Sequence, residues 1–364
     1  MSKESKALQA TGRTLSGKQV GKTLMDNALY IVMLAVIVYI AITNPNFIKP
    51  ASIINIIAQT CAYLPAALGV AGCIVLTGTD LSAGRIVGVT ACVGASLLQA
   101  VGSANKMWPQ IGTLPVLAVL AFVMVIGAVI GSFNGFFVAK FKLHPFIVTL
   151  ATQLVLYTFL LLYMQAGNNN GMAISGLAQS YTGFIKGTVL SVGGPGILSF
   201  GPDTPPGATA IPNYVWIALL LVGVMWFIWN KTTFGKNMFA LGSNEEAARV
   251  SGVNVMLTTI LVFALAGAMY SVTGFIEGAR IGSNTANTGL NYELDAIAAC
   301  VIGGVSFVGG IGRIRGVVIG VFMLRIIFVG LNMMHIDQNL FYVVKGGIIL
   351  FACALDMRKY LAKK

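Results

Sequence analysis

Residues 51–79 read ASIINIIAQTCAYLPAALGVAGCIVLTGT, a run without one charged side chain. A transmembrane helix needs about 20 mostly apolar residues, and this stretch exceeds that. Pro65 and several glycines interrupt it. A membrane tolerates such breaks where neighbouring protein or a cavity satisfies the freed backbone groups. Ala28–Thr43 is equally free of charge. Soluble cores do not repeat such runs, so the reading is an all-α chain embedded in a membrane.

Working outward from this run, apolar segments recur over 28–43, 51–77, 82–101, 113–139, 145–165, 212–230, 257–277, 291–309, 316–334 and 339–356. They predict a polytopic protein of about ten transmembrane helices. Composition agrees: 57% of the 364 residues are hydrophobic and 9% charged, against roughly 25% charged in soluble domains. Three parts follow: a basic cytoplasmic tail over 1–27, a transmembrane domain over 28–356, and a short C-terminal tail over 357–364. The first part is polar and carries Lys3, Lys6, Arg13, Lys18 and Lys22 with no small-residue cleavage site after the first apolar run, unlike a secretory signal.

The net charge of +12 raises the question of nucleic acid. The charge is spread over short loops, which is the pattern of membrane topology instead. With the N-terminus inside, the inner tails and loops hold 17 of the Lys and Arg residues, and the outer ones only Lys49, Lys106, Lys186 and Arg280. The excess predicts cytoplasmic N- and C-termini and an even number of spans. Spans two to five start outside and spans seven to ten start inside, so any repeat relating these blocks is inverted. The longest connection, 166–211, falls outside. Its tract Gly193–Gly207 has four prolines and five glycines and is not a regular helix. It reads either as a loop touching a partner or gate, or as a tolerated insertion.

Little in the sequence points to catalysis. The five cysteines lie in apolar segments without metal spacing and read as small buried hydrophobes. The two histidines, His144 and His335, fall at opposite sides of the membrane, and His144 before Pro145 suits a helix start. No Gly-x4-Gly-Lys-Ser/Thr occurs, so no P-loop nucleotide site is expected. Glycines at 127, 131 and 135, and others crowding 303–316, read as close helix packing.

The inner loop 231–256 is the most informative connection. In Gly242-Ser-Asn-Glu-Glu-Ala-Ala-Arg-Val-Ser-Gly252, Ser243 or Asn244 can cap a helix starting at Glu245. Glu245 and Glu246 suit its first turn, Ala247 and Ala248 are strong helix formers, and Arg249 follows. Gly252 ends it near Ser251. So short a helix is marginal in water unless docked against something.

This pattern resembles the coupling loop of ABC importer permeases of the ribose and galactose type. Thr77-Gly-Thr-Asp-Leu-Ser-Ala-Gly84 resembles the family's Gly-Asp-Leu-Ser-x-Gly signature, and Tyr292-Glu-Leu-Asp-Ala-Ile-Ala-Ala-Cys-Val-Ile-Gly-Gly304 its second signature. Gly69–Gly72, Thr77–Arg85 and Glu293–Phe307 are most similar to the galactose/methyl-galactoside branch. The resemblance spans about residues 28–356. It implies a subunit of the bacterial cytoplasmic (inner) membrane that imports a monosaccharide by alternating access. It further implies a second permease copy, an extracytoplasmic sugar-binding protein, and an ABC ATPase subunit that uses ATP and Mg, with no cofactor on this chain. Residues 243–252 would then form the helix that docks on the ATPase.

Charges inside spans are costly and mark function or pairing. Asp80 is either the N-cap of the third span, part of an inner gate, or both. Ser82 belongs to the same signature. Arg85 either pairs with Asp80 or sits at the inner interface. Asp295 falls about 6 Å below the outer end of the eighth span. Asp295 or Glu293 is expected to pair with Lys345 or Arg325 across the bundle, the alternative being cations that snorkel to the interface. Two other functions compete. An ion-coupled secondary transporter would use Asp80, Glu293 or Asp295 as its coupling site, and a membrane scaffold would need none of them.

Overall fold

The computed structural model describes residues 28–193, 198–205, 207–337 and 339–361. The basic tail 1–27 and residues 362–364 lie outside the described residues. A helix stands at each of the ten expected positions. These are α1 (Ala28–Thr43), α2 (Pro50–Val75), α3 (Ala83–Leu97), α4 (Val116–Phe141), α5 (Pro145–Gln165), α7 (Asn213–Lys231), α10 (Val255–Ile281), α11 (Tyr292–Ile302), α12 (Ile314–Met333) and α13 (Leu340–Leu361). Three shorter α-helices are also described: α6 (Gln179–Lys186), α8 (Thr233–Ser243) and α9 (Glu245–Val250). Among the described residues six helices, α2, α4, α5, α7, α10 and α12, are long and apolar enough to cross a membrane. The expected tail over 357–364 begins as the last turns of α13.

Two expected spans are shorter than their apolar runs. α3 has 15 residues and α11 has 11, or about 22 and 16 Å of helix, against a hydrocarbon core of about 30 Å. The eighth span, expected over 291–309, gives way at Gly303 to a glycine-rich loop that turns back toward α12. The segment before α11 also departs from expectation, because it folds alongside α3. Arg85 Nη1 donates to Ala286 O at 3.1 Å, and the Glu293 carboxylate and the Gly289 carbonyl lie against Gly84. Asp295 does stand in the first turn of its helix, near the end as expected, but α11 is too short to be a full span. Counting from α2 and from α10, the helices run long, short, long, long in both blocks.

The bundle has an inner and an outer set. α2 and α10 are buried over most of their length, while α4, α5 and α7 expose rows of Leu, Val and Phe, as lipid-facing helices do. α4 lies directly on α10. A methyl group on Gly127, Gly131 or Gly135 would run into Gly267, Phe263 or Ile260 of α10, which is the close backbone approach small residues permit. Pro65 does not end α2. The Ala66 amide next to it donates to Thr273 Oγ1 of α10 at 2.9 Å, which ties the two helices together at the proline.

The chain is not wholly helical. Within the outer connection, β1 (Thr188–Gly193), β2 (Leu198–Phe200) and β3 (Ala208–Pro212) form an antiparallel sheet in the order β2-β1-β3. The connection is anchored. Tyr181 of α6 is buried against Phe275 of α10, and its hydroxyl donates to Phe275 O at 2.5 Å.

Candidate functional site

Three groupings of polar residues stand out, and they divide the residues singled out in the sequence among them. The first is the exposed α9. The Asn244 side chain, not Ser243, caps it by accepting from the Ala247 amide at 2.9 Å. Arg249 reaches back to Glu245 at 2.6 Å and Glu246 at 3.2 Å. At the other end Gly252 takes φ +87°, and the amides of Val253 and Gly252 return to Ala248 O and Arg249 O, both at 3.0 Å. That double closure is a Schellman ending, whose left-handed residue is usually glycine. Ala248 faces inward, whereas Val250 is 88% exposed. Ser251 bonds back to Ala247 O. A six-residue helix is thus held at both ends while presenting an apolar side chain outward.

Directly before α9, the chain is wedged into the bundle. Gly242 lies so close to Val75 O and the Gly310 amide that a methyl group there would overlap both. The Gly310 amide donates to Val75 O at 2.9 Å, and Gly310, at φ +66°, lies against Ser243. Thr77, next to this joint, holds φ +64°, which is unusual for a β-branched residue. Three backbones meet here: the end of α2, the start of the α9 loop, and the loop between α11 and α12.

The second grouping is a chain of buried hydrogen bonds around Asp80. Ser82 donates to Asp80 Oδ1 from its amide at 2.9 Å and its hydroxyl at 2.6 Å. Asn134 of α4 donates to Ser82 Oγ at 2.9 Å, and Thr152 of α5 donates to Asn134 Oδ1 at 2.6 Å. Asp80 thereby organises the turn before α3 and ties it to α4 and α5. Of the two readings for Arg85, pairing with Asp80 does not occur. Its guanidinium lies 4.3 Å from the Tyr157 ring centre and reaches Ala286 O. Asn134 and Thr152 escaped the sequence reading. Their signal was a lone amide inside an otherwise apolar run, with a hydroxyl in the next.

The third grouping is an ion cluster inside the bundle. Asp295 of α11, 4% exposed, holds both Arg325 of α12 at 2.5 Å and Lys345 of α13 at 2.6 Å. Arg325 lies 3.4 Å from the Tyr63 ring centre of α2, and Tyr63 stacks on Tyr292. Glu293 makes no ion pair among the described residues and packs against Gly84 instead. A second buried carboxylate, Glu277, pairs with Arg280 at 2.8 Å. The sequence reading missed it because Arg280 was placed in a loop, whereas both lie in the last turns of α10. The cluster borders a polar cavity of about 480 Å³ that extends along α2 from Asn55 past Gln59 to Tyr63.

The described residues thus define a polytopic helical membrane protein with an exposed, capped loop helix and charges buried between its helices. Residues 52–353 match the family described as branched-chain amino acid transport system / permease component, and the chain belongs to that family. Among its relatives are the galactose/methyl galactoside import permeases of Salmonella typhimurium and Escherichia coli. Each is 43% identical over 341 residues, covering 94% of this chain and 96% of the relative. The ribose import permease of Escherichia coli is 33% identical over 351 residues, covering 96% and 99%. No solved structure matches. The chain is therefore a multi-pass membrane permease.

Proposed function

We propose that this chain is the membrane subunit of an ATP-driven importer that carries a monosaccharide, galactose or a methyl galactoside, across the bacterial inner membrane. The near-full-length similarity to the galactose/methyl galactoside carriers supports the substrate. The observation that carries the mechanism is α9 with the joint behind it. ATP and Mg act on a separate ATPase, which receives α9 in a groove. Val250 supplies an apolar contact, and Glu245, Glu246 and Arg249 a charged rim.

A partner shifts the balance between two states only by binding one better than the other. Closure of the ATPase pair pulls on α9, and the pull passes through Ser243 and Gly242 to Gly310 and Val75. Nothing compressible lies between these backbones, so the ends of α2, α11 and α12 move together. Two copies of the chain enclose the path with both termini in the cytoplasm. A sugar-binding protein delivers the solute on the other side. The outer connection, anchored by Tyr181 and exposing Phe200 on β2, offers it a contact. Asp80, with Ser82, Asn134 and Thr152, fixes the turn next to the inner end of α2.

The test is a Gly310→Ala or Gly242→Ala variant in the complete transporter. Transport per ATP hydrolysed is expected to fall severalfold while the ATPase stays bound. Unchanged coupling in both variants rules out the joint as the transmission element.

A further inference from the structure

The cavity beside the Asp295 cluster is larger and more polar than a packed ion pair needs. We propose that it is a sugar-binding site belonging to the permease itself, so that the membrane subunit reads the hydroxyls of its solute as well as the soluble receptor. This rests on the importer reading above.

Its volume of about 480 Å³ falls within the roughly 300–1,000 Å³ of small-molecule pockets. Its walls present donors and acceptors together. Gln59 makes only a 3.4 Å bond to Asn55 through its nitrogen, leaving its oxygen free. The Asn332 side chain makes no hydrogen bond to the described residues. Lys345 keeps part of its ammonium open to the cavity while it holds Asp295.

A hydroxyl both donates and accepts, so a neutral polyol can use an amide, a carboxylate and an ammonium at once. Asp295 binds both Arg325 and Lys345, and Glu277 binds Arg280, which leaves one positive charge over and makes phosphate the competitor to test. The Tyr63 ring is already engaged by Arg325 and Tyr292. Recognition therefore runs through hydroxyl bonds rather than through stacking on an open ring face.

The experiment uses the permease–ATPase complex in lipid vesicles, without binding protein and without ATP, and tritiated galactose at equilibrium. The expected result is saturable binding at one site per permease chain. Asn332→Ala and Gln59→Ala, which leave the ion pairs intact, each weaken it about tenfold. Inorganic phosphate does not compete. The same two variants, in the complete transporter, change the uptake ratio of galactose to its deoxy analogues. Absence of saturable binding, displacement by equimolar phosphate, or binding that neither variant alters overturns the site while galactose uptake by the complete transporter continues. Absence of uptake by the unaltered complete transporter overturns the importer reading, and the site with it.

Discussion

At Asp295 two cations share one buried carboxylate, and the three groups are not equivalent. Removing the carboxylate leaves both cations unpaired in a low-dielectric site, and losing one partner of a buried pair costs about 3–5 kcal/mol. Removing Lys345 leaves the Arg325–Asp295 pair. Asp295→Asn should therefore lower the melting temperature of the purified chain far more than Lys345→Met, followed by tryptophan fluorescence. Equal loss in the two variants contradicts the shared pair. Thr77 offers the opposite sign. Its left-handed backbone costs about 1–2 kcal/mol for a residue with a Cβ, so Thr77→Gly should raise the melting temperature. The sequence shows that Asp295, Arg325 and Lys345 lie within apolar segments, because a charge there is visible in any window. It does not show which carboxylate is shared. That depends on where α11 begins and on the return of 282–291 alongside α3, both products of tertiary packing. Glu277 was hidden for a related reason, since the end of α10 extends past the point where the apolar run thins.

At the scale of elements, the α4–α10 contact rests on three glycines one turn apart. Gly131→Leu would drive a side chain into the Phe263 backbone. Overpacking of this kind costs about 1–3 kcal/mol or more. The variant should shift from a monodisperse to an aggregated profile on size exclusion in detergent, with Gly223→Leu on α7, where no neighbour lies within 4 Å, as the tolerated comparison. α9 is the other testable element. Proline cannot adopt the φ of +87° at Gly252 and would delete its amide bond to Arg249 O. Gly252→Pro should abolish coupled uptake while the chain still inserts, checked by uptake beside membrane fractionation. Full transport in that variant removes α9 from the mechanism. Both elements were legible: the glycines repeat at helical spacing, and the α9 segment carries a capping residue, acids first and glycine last. The small sheet was not legible. Its strands are short and lie within a Gly/Pro-rich tract whose composition excludes helix without specifying a register.

At the scale of the molecule, helices of unequal length surround a buried α2–α10 pair, with a polar cavity along one side and a rigid joint at the end of α2. In the proposed mechanism a partner outside the chain drives the change of state, and α9 is where that drive enters. The most direct measurement is galactose uptake into vesicles holding this chain alone, under a proton or sodium gradient, beside vesicles holding it with its ATPase, binding protein and ATP. Uptake only in the complete, ATP-supplied vesicles is the expected result. Gradient-driven uptake by the chain alone would contradict the account.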